Sequence, residues 1–169
     1  PENETVEVKE FQLQEEFQKK QIKDLADNDV NISVFGTITQ IFEPRFYEAC
    51  PECNKKVRLY DGKFICDVHN SVKEKLVPII NFIFDDGSES IRTTAFRNQA
   101  EKILEKTSQE LYDLRQYPEK LEELKNKILG KQINLLVRVN KNEMFSRKEL
   151  NVQRILDSNS NVVEEMQIN

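Results

Sequence analysis

Cys50-Pro51-Glu52-Cys53, then twelve residues, then Cys66-Asp67-Val68-His69: this stretch decides how the rest of the chain is read. Each pair keeps two residues between its ligand-type side chains, so both can reach one ion from a single tight turn. Between the pairs runs Lys55-Lys56-Val57-Arg58-Leu59-Tyr60-Asp61-Gly62-Lys63-Phe64-Ile65. Asp61-Gly62 between alternating apolar arms is a short hairpin signal. Two ligand turns joined by a hairpin make a zinc ribbon, with Cys50, Cys53, Cys66 and His69 filling a tetrahedron around Zn²⁺. Every cysteine of the chain and its only histidine are used here. A catalytic zinc keeps one position for water, and four protein ligands leave none. The H-x-E of the zinc deaminases is also missing, since Asn70 and Ser71 follow His69. The expected cofactor is therefore structural zinc, stabilising a lobe too short to bury a core of its own.

On either side of this lobe the pattern has period two. Val30 to Phe42 puts Val30, Ile32, Val34, Ile38 and Phe42 on one face and Asn31, Ser33, Phe35, Thr37 and Thr39 on the other. Gly36 in its middle reads as a bulge or sharp coil, of the sort a small barrel needs. Leu76 to Phe84 is strongly apolar, Asp85-Asp86-Gly87-Ser88 is a turn, and Ser90 to Phe96 returns as the second arm of a hairpin. In that arm Ile91, Thr93 and Ala95 share one face; Arg92, Thr94 and Phe96 share the other. Residues 97–129 switch to helical spacing, with Ala100, Ile103 and Leu104, then Leu111 and Leu114, then Leu121, Leu124 and Ile128 after Pro118, and Gly130 as a stop. Lys131 to Asn140 and Lys148 to Leu156 are strands again. The order is strand, zinc lobe, strand, strand, helices, strand, strand. The expected fold class is mainly β: a five-stranded OB-fold barrel with an inserted zinc ribbon and a helical segment between the third and fourth strands.

The expected organisation is an acidic N-terminal extension over 1–29, with a helix from Glu10 to Lys23, then the OB-fold over 30–156 with the ribbon at 47–72, then a polar tail over 157–169. Starting on Pro1 suggests a trimmed or excerpted chain. The net charge of the 169 residues is −5, which looks wrong for a polyanion binder, but its distribution matters more than its sum. Residues 1–29 carry nine acidic side chains and four lysines, and 156–169 carry three acids and no base. The centre, with 21 basic and 18 acidic residues, is mildly positive. No run of eighteen apolar residues exists to span a membrane, and no signal peptide is visible. Thiols committed to metal fit a reducing, intracellular setting.

At this point the residues resemble a known family. Tyr47-Glu48-Ala49-Cys50-Pro51-Glu52-Cys53-Asn54-Lys55-Lys56-Val57 resembles the third DNA-binding domain of the replication protein A large subunit. The likeness is closer to archaeal single-stranded-DNA-binding proteins, which can carry His as fourth ligand. Thr94-Ala95-Phe96 and Ala100-Glu101-Lys102-Ile103-Leu104 resemble that family's third strand and following helix. The resemblance implies sequence-tolerant binding of single-stranded DNA in replication, repair and recombination, in the cytoplasm and nucleoid of an archaeal cell. Such a binder needs cations for phosphates and flat faces for bases. Phe35, on the polar face of the first strand, is one candidate. Phe96 matches the family by position and shares its face with Arg92 and Thr94. Phe145 lies in the loop before the last strand, where the family carries a stacking aromatic, flanked by Lys141, Arg147 and Lys148. Lys63 in the ribbon and Arg138 on the fourth strand complete the expected contact set.

Three rival readings come from other classes. RNA binding is the first, because stacking and phosphate contacts do not require deoxyribose. The second is a structural subunit that binds other replication protein A subunits, or itself, through a helix from Asn161 to Ile168. The third is an enzyme. The chain has no G-x-x-x-x-G-K-[ST] and no G-x-G-x-x-G, and no Cys or His is left over from the metal, so no enzyme is expected.

Overall fold

The computed structural model describes residues 17–156. In chain order the strands are β1 (Gln18–Lys19), β2 (Ile32–Ile41), β3 (Arg45–Ala49), β4 (Arg58–Tyr60), β5 (Lys63–Cys66), β6 (Asn70–Val72), β7 (Lys75–Asp85) and β8 (Ser90–Phe96). Three helices follow, α1 (Arg97–Leu104), α2 (Ser108–Leu114) and α3 (Pro118–Ile128), then β9 (Gln132–Asn142) and β10 (Arg147–Leu156). The chain divides into two compact units. One comprises the residues up to Gln40, Phe82–Thr94 and those from Leu129 onward; the other comprises Ile41–Asn81 and Ala95–Ile128.

In the first unit, period-two alternation does what it should. β2 runs antiparallel to β9 from Ile32↔Val137 to Thr37↔Gln132. β9 pairs antiparallel with β10, and β10 lies parallel to β8 at Leu150↔Thr93 and Asn151↔Thr94. β7 follows β8 in the sheet, and a further β2–β7 pairing closes the ring. Round that ring the five barrel strands come in the order first, fourth, fifth, third, second, a Greek-key barrel of the OB kind. The inward residues form its core: Ile32, Val34, Ile38, Phe82, Phe84, Leu135, Val137 and Leu150 are all almost fully buried. Phe82 and Phe84, two apart on β7, meet edge to face at 6.0 Å.

Two expectations need correction here. Gly36 is no bulge, because the β2–β9 register runs through Gly36↔Ile133 without a slip. It is a close-approach glycine: a Cβ there would lie 2.8 Å from the Asp85 carbonyl oxygen and 3.0 Å from the Phe84 ring. The faces of β2 exchange further on, where Thr39 and Gln40 are both exposed and Ile41 is buried. The helix expected from Glu10 to Lys23 does not extend over residues 17–23, and 10–16 lie outside the described residues. Gln18–Lys19 pairs parallel with β2, and Ile22–Asp24 makes one 3₁₀ turn. Its apolar stripe is too thin for a helix; Ile22 and Leu25 are instead buried singly, each 3% exposed. The helix expected over Asn161 to Ile168 also lies outside the described residues.

In the second unit, β3 pairs antiparallel with the first half of β7, from Arg45↔Ile79 to Ala49↔Lys75. β4, β5 and β6 form a separate three-stranded sheet. The three helices bury the residues with helical spacing: Ala100, Ile103 and Leu104 in α1, Leu111 in α2, and Leu121, Leu124 and Ile128 in α3. Thr107 and Glu110 form a capping box at the start of α2, satisfying two otherwise unpaired N–H groups. Pro118 opens α3, where its missing N–H costs nothing. No helix among the described residues is long and apolar enough to cross a membrane.

Candidate metal centre and nucleic-acid groove

The metal-type residues sit on two turns of the second unit. Cys50 and Cys53 bracket a turn whose backbone closes by Asn54 N–H donating to the Cys50 carbonyl (2.8 Å), with Asn54 left-handed at φ 64°. Cys66 ends β5, and His69 precedes Asn70, which opens β6 opposite Cys66. Between these turns Asp61 (φ 50°) and Gly62 (φ 75°) make the two-residue connection of β4 to β5, both central residues at positive φ as that hairpin requires. Cys50, Val57 and Cys66 are buried together, with Cys53, Phe64 and Val72 packed against them.

The donor atoms of Cys50, Cys53, Cys66 and His69 all lie within 4.8 Å of one another. Cys50 Sγ is 3.5 Å from His69 Nδ1, Cys66 Sγ is 3.6 Å from the same nitrogen, and Cys53 Sγ is 3.6 Å from Cys66 Sγ. A zinc tetrahedron with its usual arm lengths has S···S edges of about 3.8 Å and S···N edges of about 3.5 Å. The four side chains therefore have the spacing and chemistry of a zinc site. Backbone N–H groups of His69 and Val68 aimed at Cys66 draw its thiol down to about 6, toward the thiolate a metal binds. The Lys55 N–H pulls Cys53 the same way, but burial and the sulfurs of Cys66 and Cys50 outweigh it and leave that thiol raised.

Glu52, inside the first turn, was not expected to contribute. Its Oε2 is 3.2 Å from His69 Nε2, the nitrogen turned away from the sulfurs. A carboxylate there fixes the ring's tautomer and orientation so that Nδ1 faces the Cys50 and Cys66 sulfurs. Its position between the two cysteines was the only signal in the sequence.

In the first unit, the turns β7–β8 and β9–β10 flank a groove. Ile83, Glu89, Ser90, Ile91 and Arg92 line one side and Ser146, Arg147 and Lys148 the other, with Ile22 and Lys23 beside them. Three of the expected cations, Arg92, Arg147 and Lys148, are thus brought together. Phe145 is 59% exposed in the Glu143–Ser146 turn, with the Arg147 guanidinium 4.9 Å from its ring centre. Thr94, half-buried on β8, is registered against Asn151 of β10, and Asn151 also faces the exposed Arg138 on β9.

The remaining expected residues lie elsewhere. Phe35 is 55% exposed as strand parity requires, but it lines a different groove, with Asp85, Asp86 and Gln132. Arg92, Arg147 and Lys148 do not line that groove. Phe96, 37% exposed at the end of β8, and Lys63, exposed at the start of β5, belong to the second unit. Tyr47 of that unit accepts a hydrogen bond from Arg97 Nε at 3.2 Å. Lys141, foreseen only as a flank of Phe145, faces Asp27 at 3.7 Å.

Comparison with solved structures finds the fold in a replication protein A heterotrimer bound to single-stranded DNA, at 19% identity and a TM-score of 0.68. That match covers 89% of this chain, which spans only 39% of the other. Yeast replication protein A bound to single-stranded DNA matches at 21% identity and a TM-score of 0.62, covering 88% of this chain and 89% of that one. No curated protein sequence gives a significant match. The model of one sequence family, the replication factor-A C-terminal domain, covers residues 31–167, and the chain belongs to that family.

Proposed function

We propose that this chain binds single-stranded DNA in replication, repair and recombination, with little sequence preference, and is no enzyme. The observation that carries this is the groove in which Arg92, Arg147 and Lys148 converge beside the exposed ring of Phe145. Cations on the phosphates and a ring under a base are what a sequence-tolerant binder needs. The two solved relatives, both described with single-stranded DNA bound, support the same reading. The binding domain is residues 30–156, with the ribbon at 47–72; residues 1–29 are an acidic extension and 157–169 a tail. Other replication protein A subunits are the proposed protein partners, and an archaeal cytoplasm and nucleoid the proposed setting.

The test is fluorescence anisotropy with labelled single-stranded DNA, duplex DNA and single-stranded RNA of equal length. Single-stranded DNA is expected to bind most tightly, with affinity falling as salt rises. Tighter RNA binding would transfer the role to RNA, and a flat salt response would refute the cationic groove. Phe145→Ala and Phe96→Ala are each expected to weaken binding by about 1–3 kcal/mol, the usual loss per stacked base. Unchanged affinity in both variants would remove the stacking assignment.

The metal is proposed to be one structural zinc, held by Cys50, Cys53, Cys66 and His69 with no position open for water. Glu52→Gln keeps the size of the side chain and removes its charge. Because Glu52 is well exposed, the expected loss of zinc affinity is at the low end, about tenfold. Competition with a chromophoric chelator measures it, and an unchanged value would show that Glu52 does not hold the ring.

A further inference from the structure

The segment before β2 is tied to two turns of the barrel. Ile22 N–H donates to Asp86 Oδ2 at 2.8 Å and Lys23 N–H to Ser88 Oγ at 3.3 Å, tying the segment to the β7–β8 turn. Three residues on, Lys148 Nζ donates to the Leu25 carbonyl at 2.6 Å, tying it to the β9–β10 hairpin. Ile22 and Leu25 are buried, so this strap is packed in place. It runs between the two turns that flank the cationic groove and forms part of the groove wall with Ile22 and Lys23.

Asp27 lies at the end of this strap. Its Oδ2 is 3.7 Å from Lys141 Nζ and its Oδ1 is 3.9 Å from Lys148 Nζ, so each oxygen faces one ammonium. Asp29 is committed elsewhere, accepting from Lys20 Nζ at 2.8 Å and from the Ala26 N–H at 2.9 Å within the turn. All three groups of the Asp27 cluster are about half exposed, and the distances are those of loose ion pairs, easily exchanged for another anion. Two anionic oxygens on one centre, each facing a lysine, is also how a phosphodiester would present itself to Lys141 and Lys148.

We propose that Lys141 and Lys148 form a phosphate subsite that Asp27 occupies in the free protein, and that a nucleic-acid phosphodiester displaces it on binding. Asp27 is thus a built-in competitor that lowers affinity and reduces the number of ions released when a strand binds. This rests on the single-strand reading above.

The test compares wild-type protein, Asp27→Asn, Asp27→Glu and Asp27→Asn/Lys141→Ala by anisotropy with fluorescein-labelled oligothymidylate over a range of salt. Asp27→Asn is expected to bind about three- to tenfold more tightly at low salt, with the advantage fading at high salt. In the wild type the displaced Asp27 regains a counter-ion, so Asp27→Asn should release more ions net and steepen the slope of log K on log salt, by about 0.7 at most. Asp27→Glu, which keeps the anion, is expected near wild type, and Lys141→Ala is expected to cancel the gain of Asp27→Asn. If wild type binds but Asp27→Asn binds no better, the competitor role is overturned while the single-strand reading stands. If Asp27→Asn binds more weakly, Asp27 orders the lysines for the strand and the proposal is wrong. A wild-type protein with no affinity for the oligonucleotide overturns the underlying reading, and this subsite with it.

Discussion

Cys66→Ser is expected to abolish stoichiometric zinc binding and to unfold the lobe between Cys50 and Val72. The strands of that lobe are three or four residues long, and every residue of β4 is exposed. Apart from the cysteines, its apolar cluster consists of Val57, Phe64 and Val72, of which only Val57 is fully buried. At about 1.5–3 kcal/mol for each fully buried side chain, that cluster contributes well under 10 kcal/mol. Ordering roughly 20 residues of backbone costs 20 kcal/mol or more, on the scale of 1–2 kcal/mol per residue. Hydrogen bonds of three short strands do not bridge that gap, whereas a structural zinc supplies about 10–16 kcal/mol. The barrel core around Phe82, Phe84, Leu135 and Val137 is a separate set of residues. Hydrogen exchange should therefore show loss of protection across 50–72, with the paired amides of β2 and β9 still slow. Metal content by mass spectrometry should fall from one zinc per chain to none. A variant that keeps one tightly held zinc, or a ribbon still protected in chelator, would show that the four side chains are not the closed site described.

What the sequence made legible was local. Ile91, Thr93 and Ala95 separate from Arg92, Thr94 and Phe96 because a strand alternates with period two whatever lies beyond it. The two Cys/His turns and the Asp61-Gly62 hairpin are equally local, since side-chain spacing and positive φ are settled within a few residues. The same parity put Phe35 outside correctly but could not say what it faces there. Its neighbours Asp85 and Asp86 are about fifty residues away in sequence. Asp27 meets Lys141 and Lys148 across more than a hundred residues, and no periodicity announces such a pair. Of the helix expected from Glu10 to Lys23, residues 17–23 are not α-helical, because Ile22 and Leu25 are buried singly rather than along a helical stripe. What selects that arrangement is the tie of this segment to Asp86, Ser88 and Lys148, 64 to 123 residues away. Glu52 sat in plain view between Cys50 and Cys53, yet its contact depends on which way the His69 ring turns.

Gly36 shows the same limit with a larger energetic consequence, and Gly36→Val is expected to destabilise the barrel by about 4 kcal/mol, at the upper end for a single substitution. Backbone conformation is not the cause, because Gly36 is not among the residues at positive φ. On propensity alone a β-branched residue should improve a strand, and even alanine should gain about 0.4–1 kcal/mol by restricting the unfolded chain. The opposing effect is steric. The Cβ would meet the Asp85 carbonyl oxygen at 2.8 Å and the Phe84 ring at 3.0 Å. Neither neighbour can retreat cheaply. Phe84 is fully buried and held against Phe82, and Asp85 closes the β7–β8 turn by accepting from Gly87 N–H and Ser90 Oγ, both at 2.7 Å. Alanine should therefore be destabilising by roughly 1–3 kcal/mol, less whatever the entropy gain returns, and valine, with two more methyl groups in the same gap, more so. Urea unfolding of the three proteins separates the two accounts. Midpoints falling in the order glycine, alanine, valine support close packing of β2 on β7. Alanine more stable than glycine would mean that the gap can open at little cost, and that the close approach does not require glycine.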